Sequence, residues 1–220
     1  MFKAIIFDLD GTLAYTIEDL KTGMKEMLSE LGYPTRSSDE ILRAVNYGSR
    51  EFVRRCLPED FNAEGEEFEI CFNRYNYHYS KHYLDKTAPY EGISETLEML
   101  KNEGFKLAVL SNKGHEHTVN LVSNIFRKGL FDIVLGNTSE FPTKPCPDSG
   151  LYIAKELGTL PKEVLYIGDS NIDMQTAKNC GFYACGVTWG YRDAEVLIQS
   201  GASTLLNETK EIAVIARLDR

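Results

Sequence analysis

The sequence predicts an α/β fold: an open, Rossmann-like parallel sheet with helices on both faces, plus a helical cap inserted after the first strand. Three observations carry this. From Ala88 onward, short apolar runs alternate with helix-period segments, and strands alternating with helices imply a parallel sheet covered on both faces. Between about residue 15 and residue 86 that alternation stops and no segment reads as a strong strand. The apolar runs also end in polar residues, where open α/β sheets place their ligands. The expected division is therefore a core of residues 1–14 and 87–220 with a helical insert over 15–86.

The elements follow in order. AIIF, residues 4–7, is a short buried strand. From Thr16 the period becomes helical, with Ile17, Leu20, Met24, Met27, Leu28 and Leu31 on one face. Thr16 with Asp19 resembles a capping box, and Gly32 ends the run. DEILRAV, SREFVRRCL and EEFEICFNRYNYHYSKHYL continue as helices, punctuated by Pro34 and Pro58. The core then reads helix (ISETLEMLKNEG), strand (FKLAVLSN), helix (HTVNLVSNIF), strand (FDIVLGN) and helix (SGLYIAKELG). It continues with strand (VLYIGDS), helix (NIDMQTAKNCG), strand (YACGVTWG), a strand at STLL and a last helix in NETKEIAVIARL.

Composition narrows the function. A chain of 220 residues, 43% of them hydrophobic, is long enough for a sizeable core. The net charge of −9 argues against a nucleic acid or an anionic membrane surface as partner, but leaves room for a small anion held by local positive charge. Five scattered cysteines without a C-x-x-C pair suit reduced thiols and a cytoplasmic location. Only four apolar residues lie between Lys3 and Asp8, so no secretory signal is expected, and no apolar stretch has the length of a membrane span. The oligomeric state, monomer or dimer, is not written in these features.

The strand ends carry the chemistry. DLDGT places Asp8 and Asp10 one residue apart on an extended segment, pointing to one side. Like charges about 4 Å apart repel by roughly 4 kcal/mol at an effective dielectric near 20, so something positive belongs there. The next core strand ends at Ser111 and Asn112, the following one leads to Lys144 in TKPCP, and the fourth ends in GDSNID with Asp169 and Asp173. Sequence-distant segments thus bring carboxylates, a hydroxyl, an amide and an ammonium to one crevice. Asp8 and Asp169 offer the hard oxygen ligands that Mg2+ prefers. With a metal in place, one carboxylate can attack phosphorus and a second can move the proton. Ser111 and Asn112 can donate to phosphoryl oxygens, Lys144 can offset their charge, and Asp173 can hold Lys144 by an ion pair. Thr12 completes the phosphate-facing set. A calcium-loop reading of DLDGT fails, because counting from Asp8 puts Leu13 and Asp19 where an EF-hand needs Gly and Glu. His78 and His82 stand four apart but have no convincing third ligand, and the tyrosines Tyr75, Tyr77, Tyr79 and Tyr83 read as packing.

DLDGT, LSNK, the lysine of TKPCP and GDSNIDM, in this order and spacing, resemble the haloacid dehalogenase superfamily across the whole sheet domain. The resemblance implies that Asp8 is the nucleophile and Asp10 the general acid/base. It implies Mg2+ held by Asp8, the carbonyl of Asp10 and Asp169, with Ser111 and Lys144 on the phosphoryl group. It also implies that the insert is a small cap closing over a small phosphorylated metabolite. YGSREFVRRCLP, TAPYEGISETLEMLKNEGFKLAVLSNK and GVTWGYR resemble the phosphoglycolate phosphatase-like members, which points to 2-phosphoglycolate and an aspartyl-phosphate intermediate. Members often carry an acidic residue where this chain has Tyr15, and a second glycine near Arg50. Arg50 is a candidate for an anionic group of the substrate. The alternatives are a β-phosphoglucomutase-like sugar phosphomutase, whose early cap histidine is missing from IEDLKTG, a pyrophosphatase, and a non-catalytic binding protein.

Overall fold

The structure, a computed structural model, describes residues 1–218. It divides into two compact units, one formed by Met1–Tyr15 with the chain from Pro89 onward, the other by Thr16–Ala88. The first unit is built on a six-stranded sheet in the order β5-β4-β1-β6-β7-β8. Its strands are β1 (Ala4–Phe7), β4 (Lys106–Gly114), β5 (Ile133–Asn137), β6 (Val164–Gly168), β7 (Tyr183–Val187) and β8 (Thr204–Leu206), and every pair is parallel. Two-residue strands β2 (Ala14–Tyr15) and β3 (Ala88–Pro89) lie where the chain leaves and rejoins this unit.

The central position of β1 explains its sequence. With β4 on one side and β6 on the other, both edges are hydrogen-bonded, and all four residues of AIIF are fully buried. Ala4 and Ile6 face a core shared with Leu110, Ile153, Tyr166, Met174 and Phe182. The helices of this unit are α5 (Ile93–Asn102), α6 (His115–Ile125), α7 (Asp148–Glu156), α8 (Asn171–Cys180), α9 (Ala194–Gln199) and α10 (Glu211–Ala216). They cover both faces, the expected Rossmann-like α/β arrangement.

One strand departs from its expected end. β4 runs past Asn112 to Gly114, because Gly114 pairs with Asn137 of β5 after a register shift beginning at Leu110. The irregularity sits on the segment that carries Ser111, Asn112 and Lys113, as bulges beside functional sites do.

The second unit is helical: α1 (Ile17–Glu30), α2 (Ser38–Ala44), α3 (Ser49–Cys56) and α4 (Glu66–His82). Tyr75 and Tyr79 of α4 are buried and stacked at 5.8 Å, whereas Tyr77 is exposed. The capping box expected at Thr16 and Asp19 does not form, since Thr16 makes no side-chain cap bond. Asp19 is buried and instead accepts from the main-chain N–H groups of Lys86 and Thr87, at 3.1 and 2.9 Å. A returning chain segment offers two donors, which outcompete one local cap.

Candidate active site

The carboxyl ends of the strands bring the polar residues together. Asp8 follows β1 directly, and its N–H donates to the Ile167 carbonyl at 2.9 Å, continuing the sheet by one residue. Asp169 follows β6, and Asp173 sits in the first turn of α8. Lys144 comes from the segment between β5 and α7, where its peptide bond to Pro145 is cis. Carboxylate oxygens of Asp8, Asp169 and Asp173 lie within 4.8 Å of one another.

Lys144 is the hub. Its three N–H groups face four acceptors: Asp173 Oδ1 at 2.7 Å, Asp8 Oδ1 at 2.8 Å, the Leu110 carbonyl at 3.1 Å and Tyr166 Oη at 3.2 Å. Burial works against the ammonium, yet Asp173 and Asp8 outweigh it and hold its pKa above the ordinary lysine range. The expected Asp173–Lys144 ion pair is therefore present. Asp173 Oδ2 is engaged as well, accepting from Ser170 N at 3.0 Å and Ser170 Oγ at 2.5 Å. With both oxygens occupied, Asp173 supports Lys144 and is a poor direct ligand for a metal.

Both ends of the Asn112 amide meet the main chain of Lys144. Its Oδ1 accepts from Lys144 N at 2.8 Å and its Nδ2 donates to Lys144 O at 3.1 Å. This two-point clamp on the main chain aims the lysine. The Thr12 hydroxyl is likewise engaged, donating to Asp169 Oδ1 at 3.0 Å. Ser111 is buried, and its Oγ accepts from Lys113 N at 3.2 Å. Arg50 belongs to the helical unit, where it pairs with Glu69 and lies 4.9 Å from the centres of the Phe68 and Phe72 rings.

Asp8 and Asp10 do not share one positive partner. Asp10 is held by a second buried lysine, Lys113, whose Nζ lies 2.8 and 3.1 Å from its two oxygens. Sequence reasoning passed over Lys113, although its place beside Ser111 and Asn112 at a strand end was a usable signal. It also missed Tyr166, which bonds Lys144 from inside the sheet core, and the turn after β7. There Tyr191 N–H donates to Asp169 Oδ2 at 2.8 Å and Trp189 Nε1 donates to the Thr12 carbonyl at 3.1 Å. That turn needs glycine at 190, because a Cβ there would collide with Asp169 and lie 2.5 Å from the Gly11 carbonyl. Gly11 itself has φ +91°, in the left-handed region.

The electrostatics ask for a cation. Three of the four buried carboxylates, Asp8, Asp10 and Asp173, contact the two ammonium groups of Lys113 and Lys144, while Asp169 accepts from the Thr12 hydroxyl and the Tyr191 N–H, so carboxylates outnumber ammonium groups by two. Burial, then Asp173, pushes the Asp8 carboxyl well above the usual range despite Lys144. Burial and Asp173 push Asp169 up to about 7, against the Tyr191 N–H and the Thr12 hydroxyl. Lys144 takes Oδ1 of Asp8 and leaves Oδ2 uncommitted among the described residues. Hard oxygens short of positive charge fit a divalent metal such as Mg2+, with Asp8 and Asp169 as the side chains to hold it.

Comparison with known proteins agrees with this geometry. Residues 5–187 match the family described as haloacid dehalogenase-like hydrolase. A phosphoglycolate phosphatase of Aquifex aeolicus is 33% identical over 193 residues, covering 86% of each chain. One from Thiobacillus denitrificans is 31% identical over 218 residues, covering 94% of this chain and 96% of its own. A solved structure of a phosphoglycolate phosphatase candidate from Lactobacillus delbrueckii subsp. bulgaricus superposes with a TM-score of 0.89 at 29% identity, covering 98% of both chains. The chain belongs to the haloacid dehalogenase-like hydrolase family. Within it, the fold, the acidic cluster at the strand ends and the curated relatives are those of phosphoric monoester hydrolases.

Proposed function

We propose that this protein hydrolyses a small phosphomonoester, 2-phosphoglycolate foremost, in two displacements at Asp8. The observation that carries the reading is Asp8 itself: Lys144 pins one oxygen, the other is uncommitted among the described residues, and Asp10 stands two residues on. Asp8 Oδ2 attacks phosphorus, the ester P–O bond breaks, and the leaving oxygen takes a proton from Asp10. Water then attacks the aspartyl phosphate, Asp10 accepts its proton, and phosphate departs from Asp8. The Ser111 hydroxyl and the Lys144 ammonium bind phosphoryl oxygens. Asp8, Asp169 and the Asp10 carbonyl would hold Mg2+, which when bound offsets the charge on those oxygens.

The substrate rests on the names of the relatives. Thr16–Ala88 would serve as the cap that excludes water, working in the cytoplasm on a soluble metabolite. Among the described residues no helix is long and apolar enough to cross a membrane. A substrate anion would have to displace Glu69 to reach Arg50, so the reading leans on the core residues instead.

Phosphate release from 2-phosphoglycolate, sugar phosphates, nucleoside monophosphates and pyrophosphate, with Mg2+ and with chelator, tests the reading. Release that needs Mg2+ and falls by about 10³-fold or more in Asp8→Asn is expected. Interconversion of a sugar phosphate without net release would replace hydrolysis by phosphoryl transfer between sugars.

A further inference from the structure

Lys113 has no part in the chemistry assigned to Asp8 and Lys144, yet it is one of the most constrained side chains in the site. Its side chain is 6% exposed and that of Asp10 is 11% exposed, and the ammonium meets both carboxylate oxygens. The main chain of Lys113 is tied down on both sides. Its N–H donates to Ser111 Oγ, and its carbonyl accepts from Thr118 Oγ1 of α6 at 3.2 Å. A Cβ on Gly136 of β5 would come within 2.7 Å of that same carbonyl, so the neighbouring strand packs close behind it.

We propose that Lys113 is a positioning residue for Asp10, fixing the plane of its carboxylate so that both proton transfers share one geometry. The inference rests on the two-displacement reading above. An aspartate held through one oxygen still turns about its terminal torsion, which is broad and roughly two-fold. An anchored ammonium on both oxygens stops that rotation. Proton transfer needs heavy atoms within hydrogen-bond reach, so losing the grip slows the steps in which Asp10 moves a proton. It does not remove the attacking oxygen of Asp8. Lys144 is no substitute, because Asp8 and Asp173 already hold it.

Leaving-group dependence tests this. p-Nitrophenolate departs without a proton, whereas the alkoxide of 2-phosphoglycolate needs one. Attack by water on the aspartyl phosphate needs Asp10 with either substrate. In Lys113→Met, p-nitrophenyl phosphate should give a burst of about one equivalent of p-nitrophenol per enzyme, then a steady state slowed by about 10²-fold. With 2-phosphoglycolate, kcat should fall by a similar factor without a burst, while KM holds. Lys113→Arg should recover part of the steady state, and Lys113→Gln carries the same comparison if the methionine variant does not fold. In an Asp10→Asn background, adding Lys113→Met should change neither rate by more than about twofold, since the lysine acts through Asp10. Equal slowing of burst and steady state with both substrates would overturn the assignment, as would an undiminished effect in the Asp10→Asn background or no slowing at all. A native enzyme that releases no p-nitrophenol with Mg2+ would instead overturn the phosphatase reading, and the inference with it.

Discussion

A buried ammonium between two buried carboxylates is stable only while all three are present. Lys144 is 5% exposed, Asp8 4% and Asp173 fully buried, so none can turn to water when a partner is lost. Lys144→Met should therefore cost about 3–5 kcal/mol in urea unfolding, beyond its effect on turnover, because two carboxylates remain unpaired. At this scale the residues that converge in the candidate site were legible in the sequence. Asp8, Asp10, Lys144, Asp169 and Asp173 are charged residues at the ends of apolar runs, a placement with few structural uses. Asn112 and Thr12 were legible as site residues but not in what they touch. An amide and a hydroxyl serve a main chain or a ligand equally well, and only the position of Lys144 N and Asp169 Oδ1 decides between them.

At the scale of one element, α8 joins stability to the site. Ser170 caps it in a reciprocal box with Asp173, the residue that also holds Lys144. Ser170→Ala should cost about 1 kcal/mol of stability through the lost cap, and should lower kcat as Asp173 gains freedom. Thermal unfolding and steady-state kinetics on the same preparation check both. The helix α4 carries a different device. His82 places Nδ1 2.7 Å from Asp85 and Nε2 3.2 Å from Glu26, and the hydrogen bond to Asp85 raises its pKa. A raised histidine stabilises fully below its unfolded pKa, about 6.5, and that contribution is lost as pH rises through the folded value. A small drop in Tm across that window is expected, and His82→Gln should remove it. The Asp173–Lys144 pair follows from the strand-end pattern, whereas the Glu26 partner of His82 comes from another helix and is set by packing.

For the whole molecule the surplus of carboxylates should set the response to metal and pH. Mg2+ at 100 times its Kd should stabilise by about 2.7 kcal/mol. For a chain of this size that is a rise in Tm of roughly 5–10 °C. Burial and Asp173 push the Asp169 carboxyl up to about 7 in the folded protein, against about 3.9 unfolded. The folded form therefore binds the extra proton between those values, so metal-free stability falls as pH rises from 4 to 7 and levels above. Protons compete with the metal for the same oxygens, which makes the Mg2+ shift smaller at pH 6 than at pH 8. Asp169→Asn should raise the metal-free Tm at pH 8 and shrink the Mg2+ shift. Calorimetric scans with and without chelator at both pH values decide this.

The parallel α/β sheet, the helical segment and the convergence of acidic strand ends are written in the chain, because they follow from the period of apolar residues and from what ends each run. Tertiary structure alone decided that two lysines divide the two aspartates of DLDGT, with Lys144 on Asp8 and Lys113 on Asp10. It alone decided that Asp19 serves a returning main chain and that a glycine turn after β7 closes against Asp169. Each of these is a contact between segments distant in the chain. Local propensity records which groups seek a partner, and the packed strands determine which partner lies within reach.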